Sequence, residues 1–167
     1  ALKASNANVS IIGVKNRDGT YPVLDFSAFR SAYIGKATTD SEVGIRISGS
    51  KYTIKNLIIQ KAPDNGIQIK GSSAGNNTIE NCMVRYNNDA GVQITGGAYS
   101  NTMRFVYSYR NCDVYTLGGN ADGFAPKLGA GKGNVFYGCY SWENSDDGWD
   151  SYDKDSLTYN LTYTNCA

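Results

Sequence analysis

The sequence predicts an all-β fold built as a parallel β-helix, and three observations carry that prediction. A short segment of the form Gly-apolar-x-apolar recurs along the chain. Between its copies lie alternating stretches, each opened by a turn residue. Nowhere do apolar residues recur at helical spacing for long. The composition agrees, because 19 glycines and 13 tyrosines accompany only 3 prolines in 167 residues, so turn formers and β formers dominate. A repeat of this kind marks a solenoid whose coils stack, since no single coil can bury its own apolar face.

The chain reads as one domain, residues 1–167. Residues 1–43 are its least regular part and read as an earlier, degraded coil. There the turn Asn16-Arg17-Asp18-Gly19 precedes one strand, Pro22-Val23-Leu24-Asp25-Phe26. Residues 44–167 are regular. The repeat appears as Gly44-Ile45-Arg46-Ile47, Gly66-Ile67-Gln68-Ile69 and Gly91-Val92-Gln93-Ile94. Two variant copies follow, Gly123-Phe124-Ala125-Pro126 and Gly148-Trp149-Asp150-Ser151, and the successive intervals are 22, 25, 32 and 25 residues. Between them run the expected longer strands Tyr52–Leu57, Asn77–Cys82, Asn101–Val106 and Asn134–Cys139, with a last copy at Tyr163–Cys166. Each coil should contribute about three short strands, stacked ~4.8 Å above the strands below.

Stacking turns equivalent positions into ladders. Leu57, Cys82, Val106, Cys139 and Cys166 share one position, which makes the stacked cysteines small buried hydrophobes. Cys82 and Cys139 stand two coils apart, ~10 Å, too far for a disulfide, whereas Cys139 and Cys166 are neighbours within possible reach. Cys112 lies off this ladder. The four cysteines fit no paired zinc pattern. Five positions further on, Asn87, Asn111 and Asn144 fall in register and are expected to satisfy one another and the turn backbone.

The repeat changes character in its last two coils. The residue before each glycine runs Asn65, Ala90, Asp122, Asp147. The one before that runs Asp64, Asp89, Ala121, Asp146, and two residues past the glycine stand Gln68, Gln93, Ala125, Asp150. Asp and Gly are common in turns. Four carboxylates converging within about two strand spacings is a different matter, because their mutual repulsion must be relieved by protons or by a cation. A hard, multidentate oxygen site of this kind suits Ca²⁺ better than Mg²⁺. Asp122, Asp146, Asp147 and Asp150 are therefore the candidate metal ligands. Pro126 stands where Ile69 and Ile94 stand, and it re-aims that strand. The 32-residue interval holds an insertion, roughly 113–120, expected to wall a cleft beside Asp122. Lys127 occupies the position of Lys70. A lysine there is by default a solvated surface charge, and otherwise a cation that contacts an acidic substrate beside the metal. Trp149 replaces Ile67 and Val92 and should enter the core. Tyr152 should point outward and stack on a sugar ring. Lys127 and Tyr152 are the candidate substrate-binding residues.

Composition excludes several chemistries. The chain has no histidine, which removes Ser-His-Asp and Cys-His catalysis and His-ligated zinc. Its 16 basic and 15 acidic residues give a net charge of +1, which is no nucleic-acid signature. No stretch approaches the ~18 apolar residues of a membrane span. The chain has no Met start and no leader, and reads as a mature or excised piece.

The stretch from Asn120 to Asn134, NADGFAPKLGAGKGN, followed by Glu143 to Asp150, ENSDDGWD, resembles the calcium-binding region of pectate lyases of polysaccharide lyase family 9. A looser similarity runs from about Gly44 to the end. The resemblance implies a right-handed parallel β-helix, a calcium held by Asp122, Asp146, Asp147 and Asp150, secretion, and cleavage of polygalacturonate by β-elimination. The chain is expected to be a monomer, and its composition points to no nucleic-acid or membrane partner. It also implies a catalytic lysine on the next coil, in a Gly-x-Gly-Phe-Lys-Leu-Gly type motif absent from these 167 residues. One further interval of the repeat places that coil beyond Ala167, so the chain is expected to be truncated with its base missing. Two other readings compete. One is a non-catalytic β-helix that binds calcium and acidic polysaccharide. The other is a β-helical pectin hydrolase, for which four adjacent carboxylates are too crowded, since an inverting pair stands ~6.5–9.5 Å apart.

Overall fold

The computed structural model describes residues 2–4, 7–29, 42–152 and 160–167. Five coils follow one another, each with three strands. The first holds β1 (Leu2–Ala4), β2 (Ser10–Ile12) and β3 (Val23–Asp25), and the second β4 (Ile45–Ile47), β5 (Thr53–Lys55) and β6 (Ile58–Gln60). The third holds β7 (Ile67–Lys70), β8 (Thr78–Glu80) and β9 (Met83–Arg85), and the fourth β10 (Val92–Thr95), β11 (Thr102–Arg104) and β12 (Tyr107–Tyr109). The fifth holds β13 (Phe124–Pro126), β14 (Asn134–Tyr137) and β15 (Tyr140–Trp142), and β16 (Leu161–Thr164) begins another.

Among the described residues, strands pair only with their counterparts one coil away, always in parallel. They form a first sheet β1-β4-β7-β10-β13, a second β16-β14-β11-β8-β5-β2 and a third β15-β12-β9-β6-β3. The architecture is the expected parallel β-helix. The first coil is more regular than its sequence suggested, because its three strands pair in register with the second coil. The turn at Asn16–Gly19 precedes β3 as expected, closed by Gly19 N–H donating to the Asn16 carbonyl.

The expected long strands divide in two. Asn56, Asn81 and Phe105 take the left-handed conformation, with φ of 59°, 51° and 53°, as does Gly138. Each makes a one-residue corner between the second and third sheets. A second set, Lys61, Tyr86, Arg110 and Glu143, turns the chain from the third sheet toward the first. The corner resets the inward–outward alternation, so that after Ile54 the next inward side chains are Leu57 and Ile59. The sequence reading expected about three strands per coil but did not place the third, because single left-handed residues need not be glycine.

The core is a column of stacked apolar side chains, among them Ile45, Ile67, Val92 and Phe124 from the first sheet and Ile54, Ile79, Met103 and Phe136 from the second. The repeat glycines are required by close approach. A Cβ on Gly91 would lie 1.9 Å from Ser108 Oγ, and one on Gly123 1.9 Å from Ser141 Oγ. The cysteine ladder forms just past the corner, with Cys82 and Cys139 buried as expected and Cys166 partly buried, and all four cysteines are free thiols. The Cys139–Cys166 bridge that adjacency allowed does not form.

The asparagine ladder also forms. Asn87 Nδ2 donates to Asn111 Oδ1 (3.0 Å), and Asn111 Nδ2 to Asn144 Oδ1 (2.8 Å). A second ladder, Asn77–Asn101–Asn134, stands at the corner between the first and second sheets, with side-chain bonds of 2.8 and 3.0 Å. Sequence reading took these three only as strand openers.

Candidate metal centre

The acidic residues lie where the third sheet turns into the first. Asp122 immediately precedes Gly123 and β13. Asp146 and Asp147 precede Gly148 one coil above, where Phe124 bridges to Trp149 in parallel. The stacking is direct, since Gly123 N–H donates to the Asp147 carbonyl and Asp147 N–H to Asp122 Oδ1 (3.3 Å). One oxygen from each of Asp122, Asp146 and Asp147 lies within 4.8 Å of the others. Two unit charges at about 5 Å repel by about 3 kcal/mol at an effective dielectric of about 20, so the arrangement asks for a cation.

Each acid is oriented by its surroundings. Asn120 N–H, at the end of the insertion, donates to Asp146 Oδ2 (2.7 Å). Ser145 Oγ donates to the Gly118 carbonyl (2.6 Å), tying the insertion to the same turn. The insertion therefore lies against the turn that carries Asp146. Asp150, two residues past the glycine, faces outward like Gln93 and Ala125 below it, and its Oδ1 accepts from Tyr152 N–H (2.8 Å). Asp122 is wholly shielded from solvent, whereas Asp146 and Asp147 are exposed.

Lys127 departs from its default reading. Its side chain is not solvated but 8% exposed, with Nζ 2.7 Å from Asp122 Oδ2 and 2.6 Å from Asp150 Oδ2. Pro126 lies in register with Ile94, and Lys127 N–H donates to the Ile94 carbonyl. The next side chain thereby emerges on the outer face beside Ala125, whose small size leaves room for it. Burial pushes the Asp122 carboxyl up to about 6, against the opposing pull of Lys127. Burial pulls the Lys127 ammonium down, but its bonds to Asp122 and Asp150 more than offset this and hold it above the ordinary lysine range.

These donors fit a hard divalent cation. All are carboxylate oxygens, they converge from two coils, and the most buried of them has already recruited a positive charge from its own coil. Trp149 packs against the core as expected, stacked on Phe124 with centroids 4.3 Å apart. Tyr152 is 54% exposed beside Asp150, as expected for an outward ring.

A second acidic pair lies lower on the same corner and escaped the sequence reading, which recorded Asp64 and Asp89 only as members of the repeat. Burial pushes Asp64 up to about 7, with the neighbouring Asp89 charge adding to the rise, and burial also raises Asp89. The signal was the acid at equivalent positions of adjacent coils, Glu42, Asp64 and Asp89.

Comparison with known proteins places the fold. A family model described as the Pel9A-like, right-handed β-helix region matches residues 1–167. Pectate lyase L of Paenibacillus polymyxa is 38% identical over 161 residues, which cover 90% of this chain and 33% of that protein. Pectate lyase L of Dickeya chrysanthemi is 37% identical over 132 residues, 79% of this chain and 29% of that protein. The chain thus spans about a third of the length of these relatives. The crystal structure of pectate lyase Pel9A superposes with a TM-score of 0.71 at 29% identity, covering 98% of this chain and 40% of that one. A rhamnogalacturonan lyase, at 23% identity and a TM-score of 0.73, shares the fold.

Proposed function

Because the chain belongs to the Pel9A-like right-handed β-helix family, we propose that it is the metal-binding part of a calcium-dependent pectate lyase that cleaves polygalacturonate by β-elimination. The observation that carries the proposal is the convergence of Asp122, Asp146 and Asp147 within 4.8 Å, with Asp150 joined to Asp122 through one ammonium. Asp122, Asp146, Asp147 and Asp150 would hold the ion. The relatives named pectate lyase L support the substrate class.

Bound calcium would neutralise the uronate carboxylate and acidify the proton on the adjacent ring carbon. The residues of the chain supply the rest of the setting. The Asn120 amide fixes Asp146, the Tyr152 amide fixes Asp150, and the insertion walls one side. Tyr152 offers an exposed ring beside the acids, suited to a pyranose face. Lys127 is held as an ammonium by two carboxylates, so it acts as a positioned cation and not as the base that takes the ring proton. Elimination breaks the C–H bond, forms a ring double bond and expels the glycosidic oxygen. A polymeric wall substrate of this kind is met outside the cell, and among the described residues no helix is long and apolar enough to cross a membrane.

The test is the ultraviolet absorbance of unsaturated product from polygalacturonate, with calcium and then with chelator, alongside calcium titration by calorimetry. Calcium binding that falls roughly 100-fold in Asp147→Ala but is unchanged in Asp25→Ala supports the site. Asp25 is engaged elsewhere, by Gln60 and Lys61. Equal effects of the two substitutions would sink the metal assignment, and product that persists in chelator would sink the calcium dependence.

A further inference from the structure

We propose that the outer face of the third sheet is a second carbohydrate surface, which holds a uronate-bearing polysaccharide chain without calcium. Only the choice of polymer rests on the function proposed above.

The third sheet changes along the helix. Its outward positions in the first three coils are Val23 and Asp25, Ile58 and Gln60, then Met83 and Arg85. In the next two coils the same positions become Tyr107 and Tyr109, then Tyr140 and Trp142. Ser108 and Ser141 point inward between them, so four rings stand on one face. Trp142 lies flat on Tyr109, with centroids 4.3 Å apart and 7° between planes. Tyr107 stands across this stack, tilted 58° to Trp142 and 69° to Tyr140. The rings thereby line a shallow, open groove of about 260 Å³ formed by Tyr107, Tyr140 and Trp142. Tyr140 is 46% and Trp142 41% exposed.

An aromatic groove open to water suits a partner with apolar C–H faces and a polar rim, which describes a pyranose ring. Charge selects among sugars. The Arg85 guanidinium lies one coil below Tyr109 on the same face, donating to Gln60 Oε1 and Tyr109 Oη and standing over the Tyr86 and Tyr109 rings. Among the described residues it makes no ion pair with a carboxylate. A guanidinium fixed on aromatic faces, with no carboxylate partner among the described residues, is a binding element for a carboxylate. The acidic cluster lies round the asparagine corner, four residues beyond Trp142, with a different donor set. The two surfaces are chemically independent.

The experiment is affinity electrophoresis of the whole chain through gels that contain polygalacturonate or neutral galactan, with chelator throughout. Wild type and Asp147→Ala should be retarded equally by polygalacturonate. The double variant Tyr140→Ala/Trp142→Ala should bind at least about 10-fold more weakly, as the loss of two stacking rings requires. Arg85→Gln should weaken the acidic polymer only. Trp142→Tyr, which keeps a ring, should retain binding within about twofold, and this separates stacking from fold damage. Unchanged retardation of the double variant overturns the proposal. So does equal retardation by galactan, or loss of retardation in Asp147→Ala. If Asp147→Ala and Asp25→Ala prove equal in calcium binding while this pattern holds, the metal-centred lyase reading falls and the surface stands.

Discussion

Lys127 Nζ lies 2.7 Å from Asp122 Oδ2, inside a carboxylate cluster whose other members come from the next coil. The chain thus carries its own counter-ion where a metal would be held. A buried charge stripped of its partner is costly, and an ammonium beside a divalent ion is repelled. Lys127→Met should therefore act in opposite directions on two measurements. Without calcium the variant should unfold at lower temperature, by about 2–4 kcal/mol of stability, because Asp122 and Asp150 lose their cation. In calorimetry its calcium affinity should rise several-fold. A weaker calcium affinity would instead make Lys127 part of the scaffold of the site.

Asn111 is the middle rung of its ladder. Its Oδ1 accepts from both the backbone and the side chain of Asn87, and its own N–H donates to Asn144 Oδ1. Asn111→Ala should leave the buried Asn87 donors unpaired and cost about 2–4 kcal/mol in urea denaturation. Asn16→Ala, at an exposed turn, should cost less than about 1 kcal/mol.

The Asp64–Asp89 pair makes stability depend on pH. Burial, then the Asp89 charge, raises Asp64 to about 7 in the folded chain, against about 3.9 unfolded. Below about pH 4 the carboxyl is protonated in both states. As pH rises toward 7 the unfolded chain releases a proton that the folded pair keeps, so stability falls across that window. Glu42 and Asp113 add to the repulsion at this corner, and Lys127 opposes it. Asp89→Asn retains an oxygen for the Ala90 amide, and should be more stable than wild type by about 1–2 kcal/mol at pH 8 and nearly equal at pH 4. A pH-independent difference between the two would refute the shared-proton account.

The thiols should separate by position. Burial pushes Cys82 up to about 11 and Cys139 up to about 12, whereas Cys112 is exposed. A thiol reagent should modify Cys112 rapidly in the native protein, and Cys82 and Cys139 only on unfolding. All four should be reactive in denaturant without reductant, and a missing pair would reveal a disulfide.

The sequence by itself determined the solenoid. Glycines recurring at 22, 25, 32 and 25 residues, each followed by apolar side chains, are enough to predict stacked coils, because chemically equal positions stack only if the chain repeats its path. It likewise determined one asparagine ladder, the buried cysteines and the stacking of Asp122 under Asp147, since all of these follow from register alone. Only the tertiary structure decided the rest. The corners at Asn56, Asn81 and Phe105 shift the alternation by one residue and create the third sheet, and a single left-handed residue leaves little trace in composition. The second asparagine ladder was hidden because its members also read as turn openers. The placing of Lys127 depends on the path past Pro126, on the small Ala125 beside it, and on an acid delivered from 23 residues away. A charge that looks solvated along the chain is buried once the coil above closes over it, because burial depends on contacts between coils.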